Sequence, residues 1–569
     1  MPSIPDIADK VPMMFRAQAN GRCQIQRLDP KRPKHEKQDA QIWADEWVDK
    51  TYPIAPSFWN GKNDSKRQAK DYQISWRFVT NSGQDDGVIR PVIGARGYPF
   101  YPGSSMKGIF SEVCTDAERD RYCGRLTADG DCEPAILRFH GGYPTTNEWT
   151  DDLVDLVHPQ QKRQVMREEK TSAFVQISLY QPELQFGISS AIALSAAEWE
   201  TIWQLWERAL SKGIGCRVSA GYGHPDNLTG EQLYAPHYLK GQGMASKLLD
   251  GSGEFRPNMI RAAIRGHALR IFGGLTDGQT AEAEVERLFG GVSNGGTVGL
   301  LSMNFVSDRL SIDTFGQGSF KADDYEVDGS LRWLLTQPSL PTEQREALAK
   351  LLQRLTQFAL TFGGFGKSWR RADHRLFFEE YYEYSRRPLI GCHWQWTKSS
   401  LGRDIRVRKL EDVPKFIEDV RETARAWLTL QKASISSRSL PSWREAWYPQ
   451  NVQVWGRVAS DDGDSEAIRW LHQPYRQRDR NTVEGSIYQS SITGRMGQIG
   501  RLWHRMYPLV KLVKNKESGK IYPKETLQFI ELLTIFPDNS PKCEAFLRFL
   551  ESEQAEFKES EREVFKKLW

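Results

Sequence analysis

Two short segments carry the residue types that hold phosphate. In Pro99-Phe-Tyr-Pro-Gly-Ser-Ser-Met-Lys-Gly-Ile-Phe110 an aromatic run ends at a Pro-Gly turn. Ser104 or Ser105 is expected to cap a helix that turns Met106, Ile109 and Phe110 inward. Lys107 and the free N–H groups of the first turn would then face an anion at the positive helix end. The pattern returns in Phe255-Arg-Pro-Asn-Met-Ile-Arg-Ala-Ala-Ile-Arg-Gly-His267. Here Arg261 stands for Lys107, Pro257 for Gly103 and Asn258 for Ser104, with Arg256 and Arg265 alongside. A basic glycine loop follows each copy: Gly213-Ile-Gly-Cys-Arg-Val-Ser-Ala-Gly-Tyr-Gly-His224 and Gly363-Gly-Phe-Gly-Lys-Ser-Trp-Arg-Arg371. Lys107 to Arg217 and Arg261 to Arg371 both span 110 residues, so the spacing predicts a duplicated module.

The chemistry these residues support is binding blind to sequence. Without a Cβ, glycine lets backbone amides approach a phosphate closely, and Arg217, Lys367, Arg370 and Arg371 would neutralise its charge. Ser219 lies in the same loop, and Tyr222, Trp369 or His224 could stack a base. Taken alone, each glycine loop reads first as a plain turn between helix and strand; paired with the Lys and Arg helices, it reads as an RNA contact. Cleavage would need other groups. Asp85 and Asp86, in the polar loop Asn81 to Gly87, are the candidates for a metal-dependent step, although acidic pairs in loops are ordinarily solvated; His140 and His374 are the candidates for a metal-free one. Cys114, Cys123 and Cys132 are nine apart and followed by His140, but they lack the close pair of a zinc site and are expected to be buried or idle thiols. There is no P-loop, dinucleotide fingerprint or His-Glu-x-x-His motif, so neither a cofactor nor a metal is expected.

The elements that must position these residues alternate. Ile74 to Thr80 and Ala135 to Phe139 are expected as strands, Val175 to Tyr180 with Leu184 to Ile188 as a hairpin, and Ala196 to Leu210 as a helix capped by Ser195. Strand, helix, strands, helix, glycine loop and strand together suit an α+β sandwich of the ferredoxin-like βαββαβ type. Residues 225–253 are weakly periodic, which places a boundary near 240 between module 1–240, with an arm over 1–70, and module 241–569. In the arm, Arg22 to Arg27 alternates like a strand and Lys31 to Lys37 is a basic loop. The second module repeats the theme with helices at Met259 to Phe272, from Ala281, and at Glu343 to Phe358, and strands over Thr297 to Phe305. Residues 375–569 are expected to add a helical extension, with a helix at Lys415 to Lys432 and a charged surface helix from Lys542.

At 569 residues the chain exceeds a single core, and a mean hydropathy of -0.58 with 26% charged residues describes a soluble protein. No run is apolar enough to span a membrane, and the first residues are no signal peptide. A net charge of +4 leaves any basic surface local, while seven scattered cysteines fit a reducing cytoplasm. The nineteen tryptophans supply core area and also platforms for bases.

Pro102 to Gly108 followed by Gly-x-Gly-x-Arg-x-Ser-x-Gly-x-Gly resembles the RAMP superfamily of CRISPR type III effector proteins. Residues 74–224 resemble the sixth subunit of the type III-B (Cmr) complex, through Arg77 to Gly83, Phe139 to Pro144, Val157 to Pro159 and Gly213 to Gly223. Residues 255–371 resemble the first Cmr subunit, through Phe255 to Arg261, Glu286 to Gly290 and Gly363 to Arg371. Ala372-Asp-His374 departs from the family's usual Gly-x-Gly continuation. The resemblance implies a fusion of two RRM-like modules in antiviral defence that binds guide RNA at its 3′ end, admits single-stranded target RNA and contacts other effector subunits without cutting. The alternatives are a metal-dependent endoribonuclease at Asp85 or Asp86, and a protein-only scaffold.

Overall fold

The computed structural model describes residues 39–80, 84–85, 88–89, 91–126, 132–157, 161–166, 174–228, 230–291, 296–336, 340–378, 387–436, 438–477, 483–494, 498–516, 519–556 and 564–569. The strand and basic loop expected before residue 38 lie outside these. The rest of the expected arm is partly ordered: helix α1 (Asp39–Asp49) buries Trp43 and Trp47, and Trp47 packs on Trp149.

The protein is a mixed α+β chain of small antiparallel sheets, and one strand arrangement recurs. In the first unit, β1 (Arg67–Gln73) is followed by α2 (Gly103–Val113), α3 (Asp116–Cys123) and β2 (Leu137–Pro144). Then come α4 (Gln161–Met166), β3 (Glu183–Ser190) and α5 (Ala196–Leu210). The sheet order is β1-β3-β2, and Ile74 at the end of β1 bridges Pro225. Helix α5 follows its apolar spacing: Trp199, Trp203 and Trp206 are buried, and the Ser195 side chain accepts from the Glu198 amide.

In the second unit, β4 (His237–Met244) leads to α6 (Asn258–Gly273), α7 (Gly278–Phe289), β5 (Leu301–Phe315), β6 (Ala322–Leu335), α8 (Thr342–Phe362) and β7 (Cys392–Trp396), in sheet order β5-β6-β4-β7. The boundary expected near 240 therefore falls inside β4. After α9 (Asp412–Leu430), residues 453–569 form a third unit where a helical extension was expected. It runs β8 (Gln453–Ala459), α10 (Glu466–His472), β9 (Leu502–Lys514), β10 (Ile521–Ile535), α11 (Pro541–Glu556) and β11 (Lys566–Lys567), in order β9-β10-β8-β11. Helix α11 is not a pure surface helix, since Cys543, Phe546 and Leu550 are buried.

Other expectations shift in register. Ile74 to Thr80 is not one long strand: Ile74 and Ser75 bond to Pro182 and His224 carbonyls, and Arg77–Phe78 pairs with Leu179–Tyr180. The hairpin expected around Gln181-Pro182 is replaced by pairing of Phe174–Ile177 with Val154–Val157, which leaves β3 free to lie between β1 and β2. The first unit has its own core, around Phe186, Trp203 and Trp206. A larger core joins the second and third units, with Phe358 and Trp369 in one cluster with Trp503, Tyr507 and Phe536.

Candidate nucleic-acid interface

The first turn of α6 is where the predicted segments converge, and it does so across units. From the first unit, the loop 213–224 lays its short helical turn Val218–Ala220 on the start of β5: the Ser302 hydroxyl donates to the Val218 carbonyl at 3.0 Å, and Gly221 sits against Met303. This brings Arg217, held at φ 59°, near enough to Arg261 of α6 for its charge to act on that guanidinium. Arg261 donates to the Phe289 carbonyl and lies over the Phe289 ring, while the Nε atoms of Arg217 and Arg261 are buried without a partner. Burial, then the charges of Arg265 and Arg217, push the Arg261 guanidinium well below the usual arginine range. On the other side of α6, Gly366 of the second loop sits beside Met259. The exposed Lys367 next to it is pushed down by burial of its ammonium and by Lys247 and Arg256. Arg265 completes the group. It is half-buried, and burial pushes its guanidinium below the usual arginine range against the opposing pull of Glu286 and Glu282.

Several predicted contacts are used inside the fold instead. Arg256 is 4% exposed, ion-pairs with Asp155 and donates to the Leu156 carbonyl at 2.5 Å. Tyr222 is no base platform: it is buried, its hydroxyl donates to Asp155 at 2.7 Å, and Asn258 reaches that hydroxyl at 3.5 Å. Arg77 pairs with Glu254 at 2.5 Å in the same buried seam. A charged seam with its acids in place belongs to the junction between units, because an uncompensated charge there would be costly. His224 is buried beside Ser302 and its imidazole is pushed down to about 4 by burial. In the second loop, Trp369 is buried against Trp503 and His267. Arg370 is paired with Glu445 and Gln164, and Arg371 donates to the Leu502 and Thr493 carbonyls. These three residues join the second unit to the third and are not free for a ligand. Ser219 is half-buried in the turn on β5.

The first-unit helix differs from expectation as well. Pro102, not a serine, holds the cap position of α2; Ser104 is exposed in the first turn and Ser105 half-buried. The turn is fixed by close approach: a Cβ on Gly103 would stand 2.1 Å from the Phe139 carbonyl oxygen. Lys107 is exposed, and its charge opposes the burial that raises the Cys123 thiol. The glycine loop spends its amides inward: Ile214 donates to Gly223, Cys216 to Val79 and Gly223 to Arg77. Lys247 is the cluster residue that the sequence reading missed; as a lone lysine in a weakly periodic stretch it gave no signal.

Of the cleavage candidates, Asp85 pairs through its backbone with Val88, and Asp86 lies outside the described residues. His140 shares a hydrogen bond with Ser189 at 2.7 Å and packs edge-on to Trp59. His374 is buried, 3.1 Å from the His472 ring nitrogen, and is pushed down to about 3 by burial and then by His472. Cys114 and Cys123 are free and buried. Among the described residues no three His, Cys, Asp or Glu side chains gather as metal ligands, and no helix is long and apolar enough to cross a membrane.

No family model matches the chain, and no curated protein matches it. A chain of the cryo-EM structure of the type III-B Cmr-beta bound to cognate target RNA is similar at 15% identity and a TM-score of 0.21. That likeness covers 28% of this chain and 58% of that one. At this TM-score it fixes neither fold nor function.

Proposed function

We propose that this chain is a non-catalytic RNA-binding subunit of a type III CRISPR effector ribonucleoprotein, holding guide RNA toward its 3′ end and helping to admit the target strand. The supporting observation is the pairing of Arg217 with Arg261. Arg217 of the first unit and Arg261 of the second lie within reach of each other's charge, and, unlike Arg256 and Arg370, neither has a carboxylate partner among the described residues. Gathering like charges is unfavourable unless an anion completes the site, and a phosphodiester backbone supplies one without sequence preference. The motif resemblance to the sixth and first Cmr subunits gives the ligand its identity. On this reading the units are ferredoxin-like modules: in the second and third, helices join the first strand to the second and the third to the fourth, and the first strand lies between the third and fourth. The chain is then a fusion of RAMP modules, three rather than two.

The test is a labelled single-stranded RNA titrated across salt concentrations with the full chain, with and without Mg²⁺. The Arg217→Ala/Arg261→Ala variant is expected to lower the salt slope by about 1.4, about 0.7 for each phosphate no longer neutralised. An unchanged slope would favour a protein scaffold. RNA shortened only with Mg²⁺, and not after Asp85→Ala, would favour cleavage instead.

A further inference from the structure

The hairpin β9–β10 of the third unit carries a charge arrangement that its own fold does not explain. In the register of the pair, Lys511 stands directly opposite Lys524, and Val513 opposite Tyr522. Like charges facing across a ladder destabilise it. Side chains two residues apart share a face of a strand, so Lys511, Val513, Tyr522 and Lys524 lie on one face of this ribbon. Lys514 and Lys516 follow toward the turn. All four lysines are exposed, and among the described residues none has a carboxylate partner. Tyr522 is 43% exposed on the same face as the facing lysine pair.

The equivalent hairpin of the second unit, β5–β6, shows that this is not a requirement of the architecture. There Lys398 pairs with Asp308 at 2.5 Å and Arg309 with Glu326 at 3.8 Å, and the acids Asp313 and Asp324 face each other instead. Asp324 of that facing pair is taken by Arg375 from outside the hairpin, whereas among the described residues neither Lys511 nor Lys524 has such a counter-charge.

We infer that the β9–β10 ribbon is a second nucleic-acid contact, in which Lys511 and Lys524 take the phosphates of single-stranded RNA and Tyr522 stacks a base. A flat aromatic beside paired cations suits a base with its flanking phosphates, whereas an anionic membrane would need only the charge and the aliphatic residues. This contact shares with the reading above the identity of the ligand as RNA, but it uses none of the same residues.

The experiment compares three full-length variants by titration of a labelled single-stranded RNA across salt: Lys511→Ala/Lys524→Ala, Tyr522→Ala and Arg217→Ala/Arg261→Ala. The lysine variant is expected to lower the salt slope by about 1.4, and the tyrosine variant to weaken binding about tenfold with the slope kept. The hairpin is exposed, so the tyrosine variant should keep the melting temperature, the lysine variant should keep or slightly raise it because a facing like-charged pair is removed, and K524E, which pairs Lys511 with a carboxylate, should raise it while weakening RNA binding. Unchanged RNA binding in the lysine and tyrosine variants overturns the inference. So does loss of binding to vesicles of anionic lipid while RNA binding is retained. If only the Arg217/Arg261 variant loses RNA, the ribbon is wrong and the loop–helix site stands. If only the ribbon variants do, the loop–helix site fails and the ribbon stands.

Discussion

A basic residue in a glycine loop announces that it needs a counter-charge, but not where that charge will come from. Arg217 and Arg370 look alike in sequence, yet among the described residues only Arg370 has an acid. Glu445 is fully buried and takes Arg370 at 2.9 Å, Arg270 at 2.5 Å and Arg444 at 3.0 Å. That acid lies 75 residues downstream of Arg370, beyond any local pattern. Burial raises the Glu445 carboxyl, but the three arginines, Arg370 foremost, outweigh it and hold it down at about 2. A carboxyl lowered in the folded state contributes stability above the ordinary glutamate range, and that contribution is lost as pH falls from about 4.5 toward 2. Thermal melts between pH 6 and 3, on a scale set by the ordinary glutamate pKa, should therefore show a steep acid loss. Glu445→Gln should flatten that loss while lowering stability at neutral pH by about 3–5 kcal/mol, because three buried arginines lose their acid.

At the scale of elements, helices were legible nearly to their ends, whereas strands were legible in place, as at Leu184 to Ile188 inside β3, but not in their partners. Helices α5, α6, α8 and α9 lie within a few residues of their apolar spacing, since a 3.6-residue stripe survives whatever the helix packs on. Strand register depends on partners distant in sequence. Ile74 to Thr80 alternates well, yet it serves as a crossing that ties β1 to the loop 213–224. The third unit was missed because Leu502 to Tyr507 of β9 is buried on both faces and shows no alternation, and because the Ser465 cap of α10 opens a helix of only seven residues, whose first amides turn to an acid on β10. That acid, Glu531, accepts from the Glu466 amide at 3.1 Å and the Ala467 amide at 3.0 Å. The glycine loop was legible as a feature but not in its use. Gly223 has φ +68°, and a Cβ there would stand 1.9 Å from the Ile214 carbonyl oxygen. Gly223→Ala should lower stability by at least about 2 kcal/mol in a denaturant titration, with the loss concentrated in the first unit.

Across the whole molecule, the loop of one unit rests on the second strand of the next. Val218 meets Ser302 of β5, and the His504 amide of β9 donates to the Arg370 carbonyl at 2.9 Å. The two junctions are built differently. Second and third units share one apolar core, which takes in Val165 of α4 from the first unit, whereas the rest of the first unit meets the second through the charged seam of Arg77 with Glu254 and Arg256 with Asp155. A shared core couples unfolding through apolar area that no single substitution removes, while a buried ion-pair seam depends on each acid. Calorimetry of the full chain should therefore keep the second and third units in one transition. Glu254→Gln leaves Arg77 and the Trp76 indole, which donates to Glu254 at 2.8 Å, without their acid. The first unit should then separate as an earlier transition, with the later one unmoved. Because Arg217 is presented to Arg261 only while this seam holds, the same variant should weaken RNA binding although it changes no residue at the loop–helix site. A first unit that melts early while RNA binding stays intact would mean that the two arginines do not act as one site.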